Sequence, residues 1–228
     1  MNPSKLKHGL SVTRKKGVYY LLDDHGKPRK YKPWLGDAFA FLYDRIMEKS
    51  VFPRKFNASI DRHFQILEEQ LNGLRNISIL EIAAGSGNAS RFLPQEVDYT
   101  ASDISYGLLK RAALNFMQKG YLSAEFYVAD AADLPFKDHC FDVAMCHLSV
   151  NFFDDMEAFI SEVKRVLKPG GIFFGSLPLP EKKPAKATIH GKLYSAHQLR
   201  QAFQERNFQF DPLPAENGAL IYWKATSL

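Results

Sequence analysis

From Ile77 to Ser176 short, near-continuous apolar runs alternate with segments of helical spacing, and no other feature limits the fold so much. The runs are 77–82, 99–102, 125–129, 141–149 and 172–176. The helical segments begin near Ala89, at 105–119 and near 155–167. Strands apolar on both faces and separated by helices predict a parallel sheet covered on both sides, a doubly wound α/β domain. Beyond it, Ser195 with Gln198 three residues on reads as a capping box for a helix to about Arg206. The runs 208–213 and 219–224 read as a closing antiparallel pair.

The N-terminal quarter has another pattern. Segments 18–22 and 27–31 flank Asp23-Asp24-His25-Gly26 and read as a short hairpin. Pro33 opens a helix expected through Lys49, with Leu35, Phe39, Leu42, Tyr43, Ile46 and Met47 on its apolar side, and Phe52-Pro53 is expected to end it. Ile60, Phe64, Leu67 and Leu71 mark a second helix stopped by Asn72-Gly73. The expected organisation is an extension over 1–75, hairpin plus helical lid, and a core over 76–228.

Composition excludes several classes. With 228 residues, 46% of them hydrophobic and 24% charged, the chain can bury a core without crosslinks. Cys140 and Cys146 form neither a disulfide framework nor a zinc-site cluster, so no metal is expected. No run of about 18 apolar residues and no leader-like apolar stretch occurs, which reads as a cytoplasmic protein without a transmembrane segment. Net charge is +5, but residues 1–60 hold 13 basic against 5 acidic residues and the remainder 17 against 20. Such a basic quarter suits RNA, an anionic lipid surface or an acidic small molecule, or is an ordinary solvated face. It carries no recognisable nucleic-acid module.

Chemistry concentrates where Ile79-Leu80-Glu81-Ile82 runs into Ala83-Ala84-Gly85-Ser86-Gly87-Asn88. A turn of small residues after a buried strand lets backbone approach a ligand, or simply packs tightly. Ser90 stands where the dinucleotide fingerprint has its third glycine, so that fingerprint is imperfect. Asp103 ends the next strand, where a carboxylate accepts bonds from both hydroxyls of a ribose, as suits NAD or S-adenosylmethionine alike. Asp130 ends the third strand beside the same crevice and can accept from an adenine amine.

Together Glu81, Gly85-Ser86-Gly87, Asp103, Asp130 and Asp133-Leu134-Pro135-Phe136 resemble class I S-adenosylmethionine-dependent methyltransferases. Phe141-Asp142-Val143-Ala144 is similar to that family's fourth strand, and Glu162 through Gly171 to its helix and turn into the fifth. The resemblance implies a Rossmann-like, doubly wound, seven-stranded, mostly parallel sheet with a C-terminal antiparallel hairpin. Tyr43-Asp44-Arg45-Ile46 resembles the covering element of the quinone-methyltransferase branch. Carried over by position, Glu81, Ala83, Gly85 and Gly87 hold the methionine moiety and Asp103 the ribose. Ile104 packs on the adenine, Asp130 and the Ala131 amide read its edge, Tyr43 closes over the top, and His147 lines the pocket. Ala83-Ala84 departs from the family's usual Gly-Cys.

The methyl acceptor is less constrained. The end of the fourth strand, Cys146 to Phe153, has no Asn-Pro-Pro-Tyr element, which disfavours nucleobase amines and glutamine amides. His147 is either a general base or a pocket wall, and Asn151 either orients substrate or caps the next helix. Aromatics in the N-terminal cover (Tyr19, Tyr20, Tyr31, Trp34, Phe39, Phe41, Tyr43, Phe52, Phe56) suit a flat apolar acceptor or form core. Lys182, Lys183, Lys186, His190 and Lys192 suit an anionic acceptor or are solvated. The expected activity is methyl transfer from S-adenosylmethionine to a small molecule. Its rivals are an RNA or protein methyltransferase docking through the basic region, a cofactor-binding scaffold subunit, and a nicotinamide-dependent oxidoreductase.

Overall fold

In the computed structural model the described residues are 5–31 and 42–228. Nine strands make one sheet: β1 (Val12–Lys15), β2 (Val18–Leu21), β3 (Ile77–Ile82), β4 (Val97–Asp103), β5 (Glu125–Val128), β6 (Phe141–His147), β7 (Leu167–Pro178), β8 (Phe208–Pro212) and β9 (Leu220–Ser227). Their order is β1-β2-β5-β4-β3-β6-β7-β9-β8. The run from β2 to β7 is parallel, while β1 and the β8–β9 pair are antiparallel to their neighbours. Connections leave β3 toward β4 and β5, then return to its other side at β6. The crevice at that reversal is where sheets of this kind bind ligands.

Alternation along each strand sends side chains to opposite faces. Leu80, Ile82, Ala144, Cys146 and Phe173 meet α4 (Met156–Val166) and α5 (Ala196–Gln204) on one side. Ile79, Tyr99, Val143 and Met145 meet α2 (Ile60–Leu71) and α3 (Tyr106–Gln118) on the other. The expected capping box at Ser195 and Gln198 is present.

The strand count corrects the expected seven. The hairpin turns at Lys16-Gly17, both left-handed (φ 50° and 84°), earlier than Asp23–Gly26, and β2 pairs in parallel with β5. Val18, Tyr19 and Leu21 are buried there, covering what would be an open edge of the sheet. A turn of the expected kind does exist at Asp23, whose carboxylate accepts from the His25 and Lys27 amides.

Two helices also differ. After Gly87 only a single 3-10 turn forms, Asn88–Arg91, where a helix from about Ala89 was expected. Pro94 lies seven residues past Gly87 and disfavours helical backbone at Leu93, so no longer helix fits. The helix expected from Pro33 has residues 33–41, including Trp34, Leu35, Phe39 and Phe41, outside the described residues. Its described part is α1 (Tyr43–Ile46), followed by wider π-type turns over Met47–Phe56 that contain Pro53. Asn57, left-handed at φ 48°, makes the stop that Phe52-Pro53 was expected to make.

Candidate active site

A cavity of about 360 Å³ opens at the C-terminal ends of β3, β4, β5 and β6. Of the residues read as ligand-binding, Tyr43, Ala83, Gly85, Asp103, Ile104, Asp130 and Ala131 line it. A smaller chamber of about 70 Å³ adjoins it, sharing Tyr43, Ala83, Gly85, Leu148 and Ser149, and it is lined by Glu81 and His147 as well.

Gly87 and Asn151 line neither space. A Cβ on Gly87 would stand 2.7 Å from the Ala112 Cα, so this glycine lets α3 pack against the turn. Asn151 is buried and donates from Nδ2 to the His190 carbonyl, while its own carbonyl accepts from the Lys192 amide. It fastens the 184–192 loop and does not cap α4, which Asp155 caps by accepting from the Ala158 amide.

The turn is held from three directions. Asp103 accepts from the Gly85 amide at 2.8 Å and from the Ser105 amide at 2.8 Å, joining the first turn to the start of α3. Asp44 accepts from Ser86 and Asn88 and pairs with Arg111 at 2.8 Å, pinning α1 beside Gly85. Asp44, Ser86, Asn88 and Arg111 went unassigned in the sequence because their contact spans from 42 to 67 positions of chain. Ala83 adopts φ 56°, a left-handed conformation that glycine takes without the Cβ penalty.

Four carboxylates, Asp103, Asp130, Asp154 and Asp155, line the larger cavity, and no Lys or Arg does among the described residues. This field suits hydroxyl donors and a cationic centre and repels phosphate. The short 3-10 turn after Gly87 also lacks the long helix N-terminus on which a pyrophosphate sits. The cavity is also lined by the apolar side chains of Ile82, Ile104, Leu108, Leu148, Phe152 and Phe153.

Burial raises the Glu81 carboxyl to about 8, with the Asp103 charge adding to the rise and the hydrogen bond from Tyr99 opposing it. The folded protein therefore keeps a proton that an unfolded chain releases near 4.5, and stability from this group is lost as pH rises from 4.5 through 8. Glu81→Gln, which mimics the protonated acid, is expected to melt about 5 °C above the parent at pH 8.5 and level with it at pH 4.5. An equal difference at both pH values in thermal melts would contradict the assignment. Burial, reinforced by His63, drives His147 well below its ordinary value, so its imidazole is neutral and a weak base.

Sequence reading also passed over His63 of α2, which lines the smaller chamber. It lies on a helix whose apolar stripe signals core packing. Among the described residues no cluster fit for a metal ion occurs, and no helix is long and apolar enough to cross a membrane.

Residues 80–175 match the family model of a methyltransferase domain. A probable phthiotriol/phenolphthiotriol dimycocerosates methyltransferase 2 of Mycobacterium ulcerans is 34% identical over 116 residues, 49% of this chain and 42% of that protein. A demethylmenaquinone methyltransferase of Chlorobaculum parvum is 27% identical over 168 residues, 68% of this chain and 66% of that protein. The chain thus spans 42 to 66% of the length of these curated relatives. The crystal structure of a SAM-dependent methyltransferase from Aquifex aeolicus superposes with a TM-score of 0.66 at 13% identity, covering 87% of this chain and all of that one, a likeness of fold.

Proposed function

Because residues 80–175 match the model of a methyltransferase domain, we propose that the chain is a class I S-adenosylmethionine-dependent enzyme that transfers a methyl group from that donor to a small, largely apolar molecule. The observation that carries this reading is the larger cavity, walled by four carboxylates without a Lys or Arg among the described residues. A ligand bearing a ribose diol, an adenine amine and a sulfonium matches that wall, whereas the pyrophosphate of a dinucleotide is repelled by it.

The residues fit this donor in a definite arrangement. Asp103 would accept from the ribose hydroxyls, Ile104 and Leu108 would pack on the adenine, and Asp130 with the Ala131 amide would read its edge. Glu81 would meet the methionyl ammonium, and Tyr43, held on the turn by its neighbour Asp44, would cover the site. When bound, the sulfonium supplies an electrophilic methyl group. What the protein adds is orientation and exclusion of water, the largest contributions open to an in-line displacement. His147, neutral and hydrogen-bonded through Nδ1 to Ser176 Oγ at 3.1 Å, acts by hydrogen bonding and not as a base. The segment 42–71 serves as the cover.

The acceptor class is supported by the two relatives, whose names give a demethylmenaquinone and phthiotriol dimycocerosates as substrates. Docking of RNA through the N-terminal basic region has less support, because several of its cations are spent on the core. Lys5 pairs with Asp98 at 2.8 Å, while Lys7 and Arg29 reach Asp133 at 3.3 and 3.5 Å. Isothermal titration with S-adenosylhomocysteine, with NAD as control, is expected to show micromolar binding of the first alone. Binding of NAD, or of neither, would overturn the reading.

A further inference from the structure

The smaller chamber holds a pair of histidines. His63 comes from α2 and His147 from the end of β6, and their ring centroids lie 6.0 Å apart, edge to face. Both line the chamber together with Glu81 and the turn residues Ala83, Gly85 and Ser86. Each ring is held through Nδ1 by a hydroxyl, His63 by Tyr222 at 2.9 Å and His147 by Ser176 at 3.1 Å.

The surrounding network accommodates one placement of the protons in particular. Asn217 Oδ1 accepts from the Ser59 amide at 2.8 Å, which turns Nδ2 toward the Ser59 carbonyl and the Tyr222 oxygen at 2.9 and 3.1 Å. The Tyr222 oxygen thus accepts from Asn217 and can donate its own hydrogen to His63 Nδ1. In that arrangement the neutral His63 carries its proton on Nε2. The fully buried Ser176 hydroxyl has His147 Nδ1 as its partner and can donate to it in the same way, which leaves His147 Nε2 to carry the proton. With Nδ1 of each ring engaged by a hydroxyl, Nε2 of each is the nitrogen left to serve a ligand in one small space beside Glu81.

The chamber adjoins the turn that faces the larger cavity, and its volume suits the tail of a ligand whose bulk lies there. No Lys or Arg lines it among the described residues, so an anion entering it depends on these imidazoles. Of the other side-chain donors in its wall, Ser86 and Asn88 are engaged with Asp44 and Ser149 donates to the His147 carbonyl.

We propose that His63 and His147 form the site that binds the α-carboxylate of the donor's methionyl end through their Nε2–H groups, while Glu81 faces its ammonium. The two charges of the amino acid are thereby separated across one chamber, and α2 is a wall of the cofactor site as well as a cover. This inference rests on the proposed cofactor. Its test separates the two, because it compares S-adenosylhomocysteine with 5′-methylthioadenosine, which keeps the adenosine and thioether but lacks the amino acid.

Calorimetric affinities of both ligands are measured for the parent, His63→Phe and His63→Gln. His63→Phe is expected to weaken S-adenosylhomocysteine about 10-fold, the scale of one hydrogen bond to a charged group, and to leave methylthioadenosine within about 2-fold. His63→Gln, whose amide N–H reaches the same position, is expected to recover most of the loss. Equal weakening of both ligands would show His63 to be a packing residue and overturn the proposal, as would an unchanged affinity for S-adenosylhomocysteine. Should neither ligand bind the parent protein, the cofactor reading itself fails.

Discussion

Asp103→Ala is expected to weaken S-adenosylhomocysteine binding by at least about 100-fold and to lower the melting temperature by about 5 °C. The first effect follows from losing charge-assisted hydrogen bonds to both ribose hydroxyls, each worth about 1.5–3 kcal/mol. The second follows from orphaning the Gly85 and Ser105 amides, which the carboxylate accepts at 2.8 Å each. At a typical penalty of about 1–2 kcal/mol per unsatisfied buried donor, the turn after β3 and the start of α3 both loosen. One side chain thus sets the shape of the glycine turn and, in the proposed arrangement, would offer the ribose its acceptors. Calorimetry with thermal melts checks both parts, and an unchanged affinity would refute the placement of the ribose.

Gly87→Ala is expected to act on stability, with a loss of about 3 kcal/mol or more and a melting temperature lower by about 10 °C. The added Cβ would lie 2.7 Å from both Cα and Cβ of Ala112, and Gly87 is left-handed at φ 78°. α3 must move or the turn must unwind. At Gly85, φ is 57°, and a Cβ would meet only the Tyr43 ring edge at 3.8 Å, an ordinary contact. Gly85→Ala should therefore cost about 1 kcal/mol of backbone strain and act chiefly on ligand binding. Melts of the two variants side by side check this, and equal destabilisation would contradict the division of roles.

That division marks where sequence reading stopped. In the string Gly85-Ser86-Gly87 both glycines looked like ligand contacts, because small residues after a strand signal close approach without saying to what. One approaches the cavity and the other a helix. The strands β3 to β7 were legible because each is apolar on both faces, a pattern that parallel pairing beneath two helical layers demands. The pairing of β2 with β5 was not, since residues 18–20 meet residues 126–128 and no local signal records a partner so distant. His63 was hidden for a related reason: on α2 it shares the buried side with Ile66, Leu67 and Leu71, and only the tertiary fold brings its ring beside His147. The charge asymmetry was visible in composition, yet its meaning was not. Buried Lys5, bonded to Thr100 and paired with Asp98, shows part of the basic quarter complementing the acidic core.

The most direct test of the account is transfer of a labelled methyl group from S-adenosylmethionine in a cell extract freed of endogenous cofactor, followed by separation into solvent-extractable small molecules, RNA and protein. The account predicts that label enters the solvent-extractable fraction and that Asp103→Ala abolishes it. Label appearing in RNA or protein, or no transfer at all from a protein that binds S-adenosylhomocysteine, would contradict it.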